Sequence, residues 1–296
     1  MEKILITGVN GMLGKELAKQ LLEKNFFVIG TSRGECRTVY NSEKFKYYEV
    51  DITDDFQLHD VLFDERAEVV IHAAAMTQAD ECELNEDKCW NVNQHGTVHA
   101  LVCAEMYSSF IIYISTDFVF DGKKGMYSEE DECRPVNWYG RCKLEGESVI
   151  KDAEIPWAIV RTCLVYGEKT PGGRDNIITW ADGKLSKGEK IKVVDDQVRT
   201  PTYIGDLAMG IISIIEKRAT GIYHLSGKDV LTPYQMVKAV ASYKGYDESL
   251  IERVTADTFT QPAERPAKTG FVIDKAMNEL NYNPISFEEG IKKVLG

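Results

Sequence analysis

The residues that most restrict the fold are Gly8-Val9-Asn10-Gly11-Met12-Leu13-Gly14, a GxxGxxG spacing set between a β-branched run, Lys3–Thr7, and an amphipathic stretch, Gly14–Glu23. Gly8 permits a tight turn, Gly11 lets the backbone approach a pyrophosphate lying on a helix N-terminus, and Gly14 permits close packing of helix on strand. A strand, a glycine turn and a helix in that order commit the chain to a βαβ start. The default ligand of such a turn is a dinucleotide.

The alternation continues beyond the turn. Lys3–Thr7, Phe26–Thr31, Lys46–Asp51, Val69–His72, Phe110–Ser115 and Ala158–Arg161 are strand-like. Helical periods lie between them: Leu17, Leu21 and Leu22 share one face of Gly14–Glu23, and Val92, Val98, Leu101 and Val102 continue the period along Lys88–Glu105. This pattern predicts an α/β fold, a doubly wound parallel (Rossmann) sheet with right-handed crossovers, over residues 1–166. Gly167–Asp175 reads as a mobile loop leaving the sheet. Residues 167–296 are expected to form mainly a smaller α+β substrate lobe, with strands Ile191–Val194 and Gly221–Leu225 and helices Pro233–Tyr243 and Phe287–Val294. Residues 191–225 are expected to return to the first domain.

The 296 residues suffice for about two such units, and an apolar share of 44% with 28% charged residues excludes disorder and rod-like repeats. A net charge of −12 argues against nucleic acid as a partner, although a local basic pocket still suits a small anion. Seven cysteines without a CxxC pair or an apolar leader read as free thiols in a reducing, cytoplasmic setting. Apolar runs such as Phe110–Ser115 and Met209–Ile215 fall far short of the ~20 residues that span a bilayer, so no membrane segment is expected. His95 and His99 lack a third ligand at useful spacing, and no metal site is expected.

The choice of dinucleotide rests on the end of the second strand, Gly30-Thr31-Ser32-Arg33. No acid stands there to hold a ribose 2′-hydroxyl, whereas Ser32 and the Arg33 guanidinium suit a 2′-phosphate, which favours NADP(H) over an Arg33 that simply faces solvent. Asp51-Ile52 ends the third strand, where the carboxylate either accepts from an adenine amino group or caps the strand.

Tyr139 and Lys143 lie four residues apart, hence on one helix face. A free phenol ionises near pH 10, and a neighbouring cation brings it toward useful acid–base behaviour. Ser115-Thr116-Asp117 closes the fifth strand, on the carboxyl edge of the sheet where ligands bind.

Together these segments resemble the extended short-chain dehydrogenase/reductase superfamily. Ile112–Gly122, Tyr139–Glu147, Val160-Arg161-Thr162, His72–Ala75 with Asp80 and Glu83, Asp196-Gln197 with Pro201-Thr202, and Arg265-Pro266 are similar to its dTDP-4-dehydrorhamnose reductase subgroup over nearly the whole chain. The resemblance implies an NADPH-dependent reductase of the 4-keto group of a nucleotide-activated deoxysugar. Tyr139 would donate the proton, Thr116 would hydrogen-bond the developing alkoxide, and Lys143 would tune the phenol and hold the nicotinamide ribose. Ala73, Ala74 and Ala75 would line the dinucleotide through backbone contacts. Asn93 falls where the superfamily keeps a structural asparagine, or is a helix-surface amide. Asp117, Asn176, Arg199 and Arg265 fall near positions that contact the sugar or diphosphate; each arginine has a surface ion pair as its alternative.

Those reductases usually carry a tryptophan shortly after the Arg-Thr pair, where this chain has Cys163-Leu164. An aliphatic side chain offers a pyranose less flat area, which bears on which sugar fits. The chain also resembles the NADP-binding regulatory β subunit of methionine adenosyltransferase, through the aliphatic Leu164 position, Tyr223–Gly227 and Met126–Asp131. That resemblance implies a non-catalytic subunit bound to a partner enzyme; the first implies a nucleotide-sugar substrate and admits a homodimer.

Overall fold

The computed structural model describes residues 1–38, 40–169 and 173–296. Strands β1 (Lys3–Thr7), β2 (Phe27–Ser32), β3 (Phe45–Glu49), β4 (Val69–His72), β5 (Phe110–Thr116) and β6 (Trp157–Thr162) alternate with helices, except that among the described residues β3 follows β2 directly. They are followed by β7 (Val165–Tyr166), β8 (Ile191–Val194), β9 (Thr202–Tyr203), β10 (Gly221–His224) and β11 (Ile251–Val254). One seven-stranded sheet has the order β10-β6-β5-β4-β1-β2-β3, with every pairing parallel. The order reverses at β1, whose last residue Thr7 is level with Thr31 of β2 on one side and His72 of β4 on the other. Ligand crevices open outside the carboxyl ends of strands at such a switch point.

The alternation of β1 divides the core. Ile4 and Ile6 face Leu17 and Leu21 of the Met12–Glu23 helix and Leu207 and Ile211 of the Ile204–Lys217 helix. Leu5 points the other way, with Ile29 and Val70, toward the helices Gln57–Glu65, Gly96–Met106 and Trp138–Lys151. Because both faces are covered, β4 is buried along its length, as befits an apolar run without alternation.

A second core gathers Tyr166, Ile178, Leu185, Ile191, Val193, Met236, Val240 and Phe287. It joins the helices Ile177–Leu185, Pro233–Lys244 and Phe287–Leu295 to the β8–β11 pair. The Pro233–Lys244 helix carries its own boundaries: a Thr232/Gln235 capping box, Pro233 in the first turn and Gly245 at φ 69° just past the end.

Two expectations change. Ile191–Val194 does not return to the central sheet but pairs with β11, because Ile191 and Val193 are buried while Lys192 is exposed; a strand with one apolar face suits a half-covered pair. Gly221–His224 does enter the central sheet, beside β6. Lys88–Glu105 is not one uniform helix: Glu86–Trp90 and Gly96–Met106 are α-helical, and Asn91–His95 between them is a π-helical turn. The Gly167–Asp175 loop is described at 167–169 and 173–175, and its expectation lies in part outside the described residues. Among the described residues no helix is long and apolar enough to cross a membrane.

Candidate active site

The glycine turn is built by contact. Gly8 adopts φ +73°, and a Cβ there would lie 2.9 Å from Ala74 Cα, so the end of β1 touches the segment after β4. A Cβ on Gly14 would lie 2.5 Å from the Gly8 carbonyl oxygen. Gly11 begins the Met12–Glu23 helix, and no side chain caps that end. Its first N–H groups are therefore offered outward, with the positive end of the helix dipole behind them. Met12 and Leu13 pack their side chains against the core.

Thr7 ties the two strand ends together. Its hydroxyl accepts from the amides of Ala73 and Ala74, each at 3.1 Å, and bonds His72 Nδ1 at 2.9 Å. Those two amides are occupied, so backbone contacts from Ala73 and Ala74 to a dinucleotide would come from their carbonyls. His72 also bonds Thr97 at 3.2 Å. Burial first, and the Lys143 charge second, push this imidazole down to about 3, so it is neutral.

On the adenosine side, Ser32 is half-buried at the end of β2 and Arg33 is exposed. Asn10 closes the loop that follows: its Nδ2 donates to the Glu35 carbonyl at 3.0 Å and its Oδ1 accepts from the Arg37 amide at 2.9 Å. Asn10 is thus a brace between glycine turn and loop. Asp51 Oδ1 accepts from the Thr53 amide at 3.0 Å and hydroxyl at 2.8 Å, which is the strand-capping alternative. Ile52 packs against Gly96, where a Cβ would stand 2.8 Å from Ile52 Cδ1. The backbone cradle, the uncapped helix and an exposed guanidinium together fit an NADP-type dinucleotide: the first two suit its pyrophosphate and the third its 2′-phosphate.

At the carboxyl end of β5, Thr116 caps a short 3₁₀ turn through its contact with the Phe118 amide. Asn137 caps the Trp138–Lys151 helix by accepting from the Gly140 amide at 2.9 Å, which fixes where Tyr139 and Lys143 start. Both side chains are buried, Tyr139 at 8% exposure and Lys143 at 3%. Burial pushes the Tyr139 phenol well above its ordinary value, against the Thr116 hydroxyl beside it, and the Asp117 charge adds to the rise. Burial also lowers the Lys143 ammonium to about 7, with Glu147 the leading opposing influence. Tyr139 is therefore a protonated phenol poised to donate, and Lys143 titrates near neutrality.

Two features under Lys143 escaped the sequence reading. Its Nζ lies 4.0 Å from the centroid of the Tyr113 ring. One turn further along the same helix, buried Glu147 accepts from Arg161 Nε at 2.9 Å, Arg161 Nη2 at 2.7 Å and Ser115 Oγ at 2.6 Å. Tyr139, Lys143 and Glu147 recur at intervals of four, so the spacing that marked the first two also pointed to the third.

Toward the sugar side the structure corrects two expectations. Arg199 is 4% exposed. Its Nη1 donates to Val198 and Ala267 carbonyls at 2.8 and 3.0 Å, its Nη2 to Gln197 and Pro266 at 3.3 and 2.8 Å, and its Nε faces Asp117 at 3.9 Å, leaving no N–H for a ligand. Asp117 is likewise internal, held by Thr116 at 3.2 Å, Cys163 at 3.4 Å and the Thr269 hydroxyl. Asn176 caps the Ile177–Leu185 helix, accepting from the Ile178 amide at 3.1 Å, and donates to Gly167 at 2.7 Å. Arg265 pairs with both Asp80 oxygens. Asn176 and Arg265 nevertheless line a groove of ≈ 400 Å³ with Gln197 and with Trp180, Lys192 and Phe259, three residues the sequence did not single out.

Asn93 Oδ1 accepts from the Met76 amide and its Nδ2 donates to the Met76 carbonyl, both at 2.8 Å. This buried double bond, made from within the π turn, is a brace for the segment after β4. Extra-residue turns of this kind recur at functional sites. Among the described residues no group of three or more His, Cys, Asp or Glu is arranged to hold a metal.

Comparison with known proteins agrees with this geometry. The chain is 30% identical to dTDP-4-dehydrorhamnose reductase of Aggregatibacter actinomycetemcomitans, over 99% of this chain and 98% of that protein. It is also 30% identical to the bovine (Bos taurus) methionine adenosyltransferase 2 subunit beta, over 89% of this chain and 78% of that one. The crystal structure of the Bacillus anthracis dTDP-4-dehydrorhamnose reductase, solved in complex with NADP, superposes with a TM-score of 0.83 at 28% identity and covers 98% of this chain and 97% of that one. The family model described as RmlD substrate binding domain matches residues 1–296. A match from end to end, on a Rossmann sheet that brings a GxxGxxG turn to a Tyr139–Lys143 pair, means that this chain belongs to the RmlD family of extended short-chain dehydrogenase/reductases.

Proposed function

We propose that this protein reduces the 4-keto group of a nucleotide-activated deoxysugar with NADPH, dTDP-4-dehydrorhamnose being the substrate to which its relatives point. The observation that carries the reading is the placement of Tyr139 and Lys143, one helical turn apart and both buried, beside Thr116 at the carboxyl edge of the sheet. When bound, the dinucleotide supplies the hydride. Tyr139 holds its proton because its site is dry, and gives it to the sugar oxygen as charge develops there. Thr116 offers a hydroxyl to the same oxygen, and the Lys143 ammonium stabilises the phenolate left behind. Gly8 to Gly14 seat the pyrophosphate, Arg33 and Ser32 the 2′-phosphate, and the lobe formed mainly by 167–296 receives the sugar nucleotide in the groove of Asn176 and Arg265.

The regulatory-subunit reading draws on the bovine β subunit, of which this chain spans 78%, against 98% of the reductase. The fuller span favours the enzyme, whereas the Thr116–Tyr139–Lys143 set is compatible with both readings. The seven cysteines, all free, accord with a reducing cytosol.

The deciding experiment follows NADPH oxidation by the purified protein with a panel of 4-keto nucleotide sugars. The expected result is ketone-dependent turnover that Tyr139→Phe abolishes while NADPH affinity stays near wild type. No turnover with any sugar, alongside intact NADPH binding and stoichiometric capture of one enzyme whose kinetics change, overturns the reading.

A further inference from the structure

Three cysteines meet directly behind Tyr139. Cys82, Cys89 and Cys142 are fully buried and pack with Tyr139, Met76 and Ala79. Cys89, on the Glu86–Trp90 helix, lies with its sulfur 3.7 Å from that of Cys142. Cys142 stands between Tyr139 and Lys143 on the catalytic helix. Asn93 Nδ2 donates to Cys89 Sγ at 3.3 Å, whereas Cys82 directs its thiol to the Met76 carbonyl at 3.5 Å. Cys89 is thus the sulfur that both accepts from an amide and lies against a second thiol, that of Cys142.

We propose that Cys89 and Cys142 form a peroxide-oxidisable dithiol, Cys89 being the attacked sulfur and Cys142 the resolving one, and that closing their disulfide slows the reaction at Tyr139.

The chemistry balances with hydrogen peroxide as oxidant. The Cys89 thiolate takes one oxygen from the peroxide, whose O–O bond breaks, giving a sulfenic acid and hydroxide. Cys142 then attacks the Cys89 sulfur, the S–O bond breaks, and the oxygen leaves as water with the Cys142 proton. Once ionised, Cys89 accepts from the adjacent Cys142 thiol, which leads in favouring the thiolate; burial opposes it, and Asn93 and the Lys143 charge add support. Burial keeps out bulky disulfides, but the cluster reaches the surface at Met76, Ala79 and Tyr139, each 7 to 8% exposed, and peroxide is small. Bonding draws the sulfurs from 3.7 Å to about 2.05 Å, and the shift falls on the turn that carries both Tyr139 and Lys143.

The test treats reduced protein with hydrogen peroxide, alkylates the remaining thiols and maps peptides without reductant. The expected product joins the Cys89 peptide to the Cys142 peptide with the loss of two hydrogens, and dithiothreitol reverses it. In Cys142→Ala, a sulfenic-acid probe such as dimedone labels Cys89. A Cys82–Cys89 link, or Cys89 and Cys142 still alkylatable after Cys36 and Cys133 have oxidised, overturns the assignment. These readouts do not depend on the reductase reading. The kinetic consequence rests on it: turnover falls several-fold in step with the crosslinked fraction and returns on reduction, and undiminished turnover of fully crosslinked protein refutes that consequence.

Discussion

The Lys143 ammonium stands over the Tyr113 ring, Nζ to centroid 4.0 Å, and has no carboxylate within ion-pairing distance among the described residues. A cation over an aromatic face out of water gains about 2 kcal/mol, so the ring favours the charged lysine against the burial that lowers it to about 7. Replacing Tyr113 by Leu removes that support and moves Lys143 down by roughly one pKa unit. The kcat/KM for NADPH reports the free enzyme, and is expected to fall as pH rises and the ammonium is lost. In Tyr113→Leu that limb shifts to lower pH, while Tyr113→Phe, which keeps the ring, restores it. Identical profiles for all three proteins would falsify the ring's role.

Burial of Lys143 also bears on stability. Its folded pKa of about 7 lies below the ordinary 10.5, so between these values the unfolded chain binds the proton and the folded one does not. Stability from this group therefore rises with pH across that window, and the penalty is full below pH 7. Lys143→Met lifts the penalty, and the expected gain is roughly 2 to 4 kcal/mol at pH 6, shrinking toward pH 10. Urea unfolding at the two pH values measures it; a gain that is equal at both, or larger at pH 10, contradicts the buried charge.

The legible part of the fold is the part set by local pattern. β1, β4 and β8 were bounded correctly because each is a short apolar or alternating run between breakers. What eluded the sequence was pairing, as for β8, whose one-sided burial depends on a partner sixty residues away in β11. The π turn at Asn91–His95 was also hidden, since its cause is a tertiary one, the grip of Asn93 on Met76. At the site, Tyr139, Lys143 and Thr116 were readable from spacing and strand-end position. Arg199 misled because an arginine near an anion-binding region looks the same in sequence whether its N–H groups face a ligand or the Pro266 and Ala267 carbonyls.

Arg161 and Glu147 form a doubly hydrogen-bonded pair with at most 1% exposure on either side chain. Removing one member leaves the other charged and buried, at a cost of about 3–5 kcal/mol, whereas removing both with apolar residues of similar volume is far milder. Arg161→Met is expected to lower stability by that amount and Arg161→Met with Glu147→Met to recover most of it. Equilibrium denaturation of the three variants decides the matter. A double variant as unstable as the single one would show that packing, not charge, holds this layer together.

The exposure of Arg33 gives the last expectation a sharp form. β2 holds the chain up to Ser32 and Asn10 holds it again at Glu35 and Arg37, so the Arg33 backbone is anchored on both sides while the residue itself is exposed. A charge-assisted hydrogen bond to phosphate contributes about 1.5–3 kcal/mol, which corresponds to roughly a 10- to 100-fold change in affinity. Arg33→Ala is therefore expected to weaken NADPH by that factor and leave NADH, which lacks the 2′-phosphate, almost unchanged. Titration calorimetry with both dinucleotides reads the difference directly. Equal weakening of the two would assign Arg33 to the shared adenosine or pyrophosphate, and Ser32 or Arg37 would then have to carry the discrimination.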